Sequence, residues 1–179
     1  MLYTVGHSTL SPSAFLELLQ PAALVLDVRA HPGSRKFPHF FREALSDWLP
    51  AAGVGYEWLP ALGGRRRLPA GIRRGASGWE DPSFEAYAWR TAELEWLEAA
   101  EEVLLRGAKT DLALLCAEAL WWRCHRSLIA DYLVWRGREV LHLPGEKSHR
   151  AAAQTRLERY PREVIESWRS WVPLKPEQS

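Results

Sequence analysis

Residues 22–28 read AALVLDV, and no other stretch constrains the fold as strongly. Apart from Asp27 every side chain in the run is apolar, with no alternation. A strand with one wet face alternates; a strand covered on both faces does not, and covering on both faces is characteristic of parallel sheets. Residues 112–116, LALLC, repeat the pattern. Residues 2–5, 54–59 and 139–143 add three more short runs rich in strand formers, each bounded by turn residues or polar segments.

Helical segments lie between these runs. Ser11 and Pro12 supply an N-cap and a first-turn proline, and Phe15, Leu18 and Leu19 an apolar face. Leu45, Trp48 and Leu49 mark a second helix that closes near Gly53. Pro82 opens a long helix to about Leu105, with Leu94, Leu97 and Val103 inward, stopped by Gly107. Residues 127–136 form a helix that Ser127 can cap and Gly137 ends. Residues 149–171 form the last, with a break or kink at Pro161. Strands and helices therefore alternate. The expected fold is a single α/β domain over residues 1–179. It has three layers: a mostly parallel five-stranded sheet with helices on both faces and right-handed crossovers, plus a helical extension over about residues 149–171.

Composition narrows the class of protein. With 47% hydrophobic and 25% charged residues among 179, the chain can bury a core. A net charge of +1 does not make it a general polyanion binder, so any nucleic-acid contact must come from a local patch. Two cysteines are too few for a secreted disulfide scaffold, and the start MLYTVGHS is not a signal peptide. No apolar stretch is long enough to span a bilayer. The expectation is a cytoplasmic protein without a membrane partner, whose thiols are reduced or metal-bound. Most of the ten Trp are expected in the core.

Ligands of open parallel sheets bind beyond the carboxyl ends of the strands, and the unusual residues of this chain follow the expected strands. They are His7 and Ser8; Arg29, Ser34 and Arg35; the glycine- and arginine-rich loop from Gly63; and Cys116, Glu118, Cys124, His125 and Arg126. A helix start attracts anions and lowers the pKa of a nearby thiol, and a guanidinium matches phosphate geometry. Arg29, Arg35 and Arg126, with Ser8 and Ser34, are therefore candidate ligand-binding residues. Cys116, Cys124, His125, Glu118 and His7 are candidates for nucleophile and proton transfer. Cys116, Glu118, Cys124, His125 and His7 also offer metal donors, but the spacing C-x-E-x5-C-H matches no common zinc pattern, and no metal or cofactor is assigned. Inert packing of the two thiols, with Glu118 paired to an arginine, is the structural alternative. Asp27 is best explained as an ion-pair partner of Arg29. The loop residues Arg65, Arg66, Arg67, Arg73 and Arg74 could contact a phosphate backbone, with Trp79 stacking on a base, or form a solvated mobile loop.

A cysteine at a strand end, then a loop, then Arg-Ser at a helix start, together with LDVR on an earlier strand, resembles rhodanese-type and phosphatase-type loops. The loop here is longer and carries two Trp where those families carry Gly. More of the chain resembles another family. The stretches TVGHST, LDVRAHPGSRKF, YEWLPALGG, FEAYAWRT and LLCAE…CHRSLIADYL, within residues 3–143, are similar to the family called domain of unknown function 488. The typical positions of that family fall on His7, Ser8, Asp27, Arg29, Pro32, Ser34, Arg35, Gly63, Gly64, Cys116, Glu118, Cys124, His125 and Arg126. Between Glu118 and Cys124 the family is usually polar, often with proline, whereas this chain reads ALWWR. The resemblance implies an α/β fold and a shared polar cluster, without a substrate. The function expected from these residues is acceptance of a phosphate-bearing ligand, nucleotide or nucleic acid, with cysteine or metal chemistry as an added option. The alternative is a binding module for nucleic acid or protein that uses the arginine loop and Trp.

Overall fold

The computed structural model describes residues 1–33, 35–64 and 67–173. Five parallel strands are β1 (Leu2–Gly6), β2 (Leu24–Asp27), β3 (Gly55–Trp58), β4 (Leu112–Cys116) and β5 (Val140–His142). Helices α1 (Pro12–Leu18), α2 (Arg42–Ala51), α3 (Pro82–Arg90), α4 (Leu94–Gly107) and α5 (Arg126–Trp135) alternate with them. A two-residue strand β6 (Lys147–Ser148) and helices α6 (Arg150–Arg156) and α7 (Arg162–Ser170) follow.

The sheet order is β3-β2-β4-β1-β5-β6, so β4 sits between β2 and β1. Its register sets Gly6 beside Cys116 and Asp27 beside Leu115. Alternate residues of each strand feed two cores. Leu2, Leu26, Leu112, Leu114 and Val140 pack with α3, α4, α5 and α7; Tyr3, Val5, Val25, Ala113 and Leu115 pack with α1 and α2. This is the expected three-layer α/β architecture. Among the described residues it has six strands, not five, because β6 pairs antiparallel with β5. Two polar residues carry no periodicity, so that strand had no sequence signal.

Three local expectations are corrected. The helix from Pro82 is two helices: the chain breaks at Thr91–Glu93, where the Thr91 hydroxyl donates to the Ala88 carbonyl at 2.6 Å. The break shifts the helical phase, so Leu94 is 61% exposed while Leu97 and Val103 are buried. Helix α5 starts one residue earlier than expected, at Arg126; Ser127 therefore lies inside the first turn, and its hydroxyl donates to Cys124 O at 2.8 Å instead of capping. Ser11 does cap α1, accepting from Ala14 N–H at 3.2 Å, and the chain between α6 and α7 breaks at Pro161 as expected.

Among the described residues, no helix is long and apolar enough to cross a membrane.

Candidate functional site

Topology creates a crevice at β4. The chain leaves β1 and β2 for α1 and α2 on one face, and leaves β4 for α5 on the other. Where neighbouring connections diverge, the strand ends stay uncovered. Cys116 ends β4 at that point. A cleft of about 800 Å³ opens there, lined among others by Arg29, Arg67, Arg123, Cys116 and His125. A second concavity of the same size lies at the amino ends of the strands, around Met1, Ala52 and Asp111. It holds none of the cysteines or histidines, and the crevice at β4 is the chemically equipped one.

The end of β4 and the turn into α5 supply the side chains of the floor. His125 comes from the N-cap position of α5. Its Nε2–H donates to the Val28 carbonyl at 3.0 Å, because a carbonyl can only accept. Nδ1 is therefore the free lone pair, and it faces Cys116 Sγ at 3.9 Å and Cys124 Sγ at 3.7 Å. Both cysteines are free thiols and buried. Cys116 is the more acidic. The Cys124 thiol hydrogen-bonds to it and, with the Glu118 backbone N–H, holds its pKa well below the usual thiol range. Burial, followed by the neighbouring Cys116 sulfur, pushes Cys124 well above that range.

A second group lies behind this floor. Arg29 donates to Asp27 through Nε at 2.8 Å and Nη2 at 2.5 Å, to Phe40 O at 3.0 Å and to His7 Nε2 at 3.2 Å. The structural Asp27–Arg29 pair expected from the sequence is present. His7 is buried, stacks on Phe40 at 4.2 Å and donates from Nδ1 to Ser8 O at 3.0 Å. Burial and then the Arg29 charge lower its pKa from 6.5 to about 4. Both ring nitrogens are thus engaged, and the ring is neutral at pH 7.

The remaining candidates separate. Arg126 is fully buried and donates to Glu118 O at 2.5 Å and Ala119 O at 2.9 Å, so it holds the loop after β4 instead of facing the cleft. The Glu118 carboxylate is exposed and accepts from Leu120 N–H at 3.1 Å. Ser8 takes a left-handed backbone, φ 46°, and its N–H pairs with Ala117 O at 2.9 Å. Arg35 is exposed on the loop after β2, apart from the residues that line the cleft. Ser34, Arg65 and Arg66 lie outside the described residues. Trp79, which one of the two readings of the arginine loop stacked on a base, is 7% exposed and packed on Phe84 and Tyr160, with Arg156 and Arg159 over its ring.

Sequence reasoning missed one buried network. The Thr4 hydroxyl donates to His142 Nδ1 at 2.7 Å, His142 Nε2 meets His149 Nδ1 at 2.8 Å, and His149 Nε2 meets Asp131 at 2.7 Å. Asp131 lies mid-helix in an apolar run, and only its position 18 residues before His149, with Arg156 and Tyr160 beyond, could have hinted at a partner.

A family model, Domain of unknown function DUF488, matches residues 12–133. No curated protein matches the chain, and no solved structure does. The family match spans helix α1 through most of α5, including both cysteines and His125, and the chain belongs to the domain of unknown function DUF488 family.

Proposed function

We propose that the cleft over Cys116 accepts a phosphate-bearing ligand of nucleotide size. The observation that carries this reading is the lining of the cleft: Arg29, Arg67 and Arg123 border one concavity in which Asp81 is the sole carboxylate among the described residues. Guanidinium groups pair with phosphate by charge-assisted, two-pronged hydrogen bonds. Arg29 has most of its donors engaged by Asp27, Phe40 and His7, so the grip falls to Arg67 and Arg123, both exposed. Phe84, half-buried, borders the same space and offers aromatic surface to a base. A volume of about 800 Å³ suits a small ligand better than a long polymer.

Calorimetric titration with inorganic phosphate and with nucleoside mono- and diphosphates at low salt tests the reading. Arg67→Ala and Arg123→Ala are each expected to weaken binding by about 10-fold or more, since a hydrogen bond to a charged group contributes about 1.5–3 kcal/mol. Raising salt weakens the parent most and the double variant least. Equal affinity in the double variant and the parent would refute it. Tighter binding of a single-stranded oligonucleotide than of any mononucleotide would replace it with the nucleic-acid module.

A further inference from the structure

The floor of the cleft holds two thiols and an imidazole that phosphate binding does not use. Cys116 comes from the end of β4, and Cys124 and His125 from the turn into α5. Their donor atoms all lie within 4.8 Å of one another. Nδ1 of His125 stands 3.9 Å and 3.7 Å from the two sulfurs. Tetrahedral zinc, with Zn–S near 2.3 Å and Zn–N near 2.0 Å, sets a sulfur and a nitrogen donor roughly 3.5 Å apart. Small side-chain rotations therefore bring all three donors onto one ion.

The surroundings favour a cation. The Val28 carbonyl fixes the Nε2–H of His125 and turns its lone pair toward the sulfurs, the outer hydrogen bond that metal-binding imidazoles take. A methyl group on Gly64 would come within 3.3 Å of that Nδ1, so glycine keeps the space beside the donor clear. Tyr87, packed 5.1 Å from the imidazole, has its hydroxyl committed to Leu62 O and Trp96. The other donors proposed from sequence are elsewhere: Glu118 is exposed and His7 is bonded to Arg29 and Ser8.

We propose that Cys116, Cys124 and His125 bind a zinc-class divalent cation, with the fourth coordination position open to the cleft for water or a ligand oxygen. Cys116 and His125 line the cleft, which gives that fourth position its access. Two thiolates and an imidazole are a soft donor set that selects zinc over magnesium or calcium. The inference uses different residues from the anion grip of Arg67 and Arg123 and stands or falls separately.

The test uses the full chain. Metal content is measured on protein purified without chelator, and demetallated protein is titrated with Co²⁺ while the thiolate-to-cobalt charge-transfer absorption is followed. The expected result is about one zinc per chain and a cobalt band that Cys116→Ser and Cys124→Ser abolish. His125→Ala should lower zinc affinity by at least about 100-fold, more than loss of an outer-shell partner does. Glu118→Gln should keep the band. A cysteine variant that fails to fold leaves a second readout on the parent: zinc shields both thiols from a disulfide-exchange reagent, and a chelator exposes them. The proposal is overturned if folded parent protein gives no thiolate–cobalt band, or if Cys124→Ser binds zinc as tightly as the parent. A Cys116–Cys124 disulfide forming in air, with no metal taken up by the reduced chain, would also overturn it. Phosphate titrations on zinc-loaded and chelator-treated protein, run in parallel, judge the cleft independently.

Discussion

Arg126 shows how a residue type can be read correctly and its partner missed. A guanidinium at a helix start opposes the helix dipole and needs compensation. Its place beside the start of α5 is legible in the sequence to within one residue; its compensation is not, and it comes from the carbonyls of Glu118 and Ala119. Gly6 lets that loop pass, because a Cβ there would sit 1.9 Å from the Glu118 carbonyl oxygen. Arg126→Ala would strand two carbonyls and leave a cavity, so a loss of about 2–4 kcal/mol is expected. Urea unfolding of the variant checks this, alongside phosphate titration of whatever folds. A variant as stable as the parent that no longer binds phosphate would return Arg126 to the ligand. Arg29 teaches the same lesson: its spacing from Asp27 was informative, whereas its bonds to Phe40 O and His7 join three separate stretches of chain.

At the scale of elements, apolar runs were decisive where burial is two-sided. β1, β2 and β4 coincide with such runs, whereas β3, at the sheet edge, is only half-buried and was marked by strand formers; β6 and the break at Thr91–Glu93 are where composition carried little contrast. The last two helices depend on one carboxylate. Asp131 of α5 is fully buried and accepts from His149 Nε2 at 2.7 Å, Arg156 Nε at 2.9 Å and Tyr160 OH at 2.8 Å. Removing one partner of a buried ion pair costs about 3–5 kcal/mol, because the other charge stays buried and unpaired. Asp131→Asn is therefore expected to destabilise by about that amount and to loosen α6 and α7 first. Hydrogen exchange over residues 147–170 should rise before exchange in β1 and β4 does. Uniform exchange across the chain, or unchanged stability, would show that Trp168 and Val164, buried in the core, suffice to hold the segment.

For the whole molecule, loss of stability in acid follows from imidazoles kept neutral by the fold. His142 is buried, with Trp121 stacked on it at 4.0 Å, and Thr4, His149, Arg126, Arg156 and Lys147 around it. Burial first, and then those charges, lower its pKa from 6.5 to about 2. The unfolded chain takes up the proton first, so this stabilisation is complete above pH 6.5 and is lost as pH falls from there toward 2. Between pH 6.5 and 5 the loss amounts to about 2 kcal/mol. Denaturant midpoints at pH 7, 6 and 5 should fall for the parent and fall less for His142→Gln. Some slope remains from His7, whose pKa is lowered in the same direction. Identical slopes for the two proteins would sink the assignment. At this scale the division between sequence and structure has a physical basis. Local pattern by itself determined the layered α/β fold, because burial on two faces or one writes a period that any window of the chain displays. It also determined that Cys116, Cys124 and His125 lie near a strand end. Only the tertiary structure decided that β4 runs between β1 and β2, that His125 turns one nitrogen to Val28 and the other to two sulfurs, and that Arg126 points inward. Those outcomes depend on groups far apart in the chain, 97 residues for His125 and Val28 and more for β1 and β4, and contact energy at that separation leaves no periodic trace in sequence.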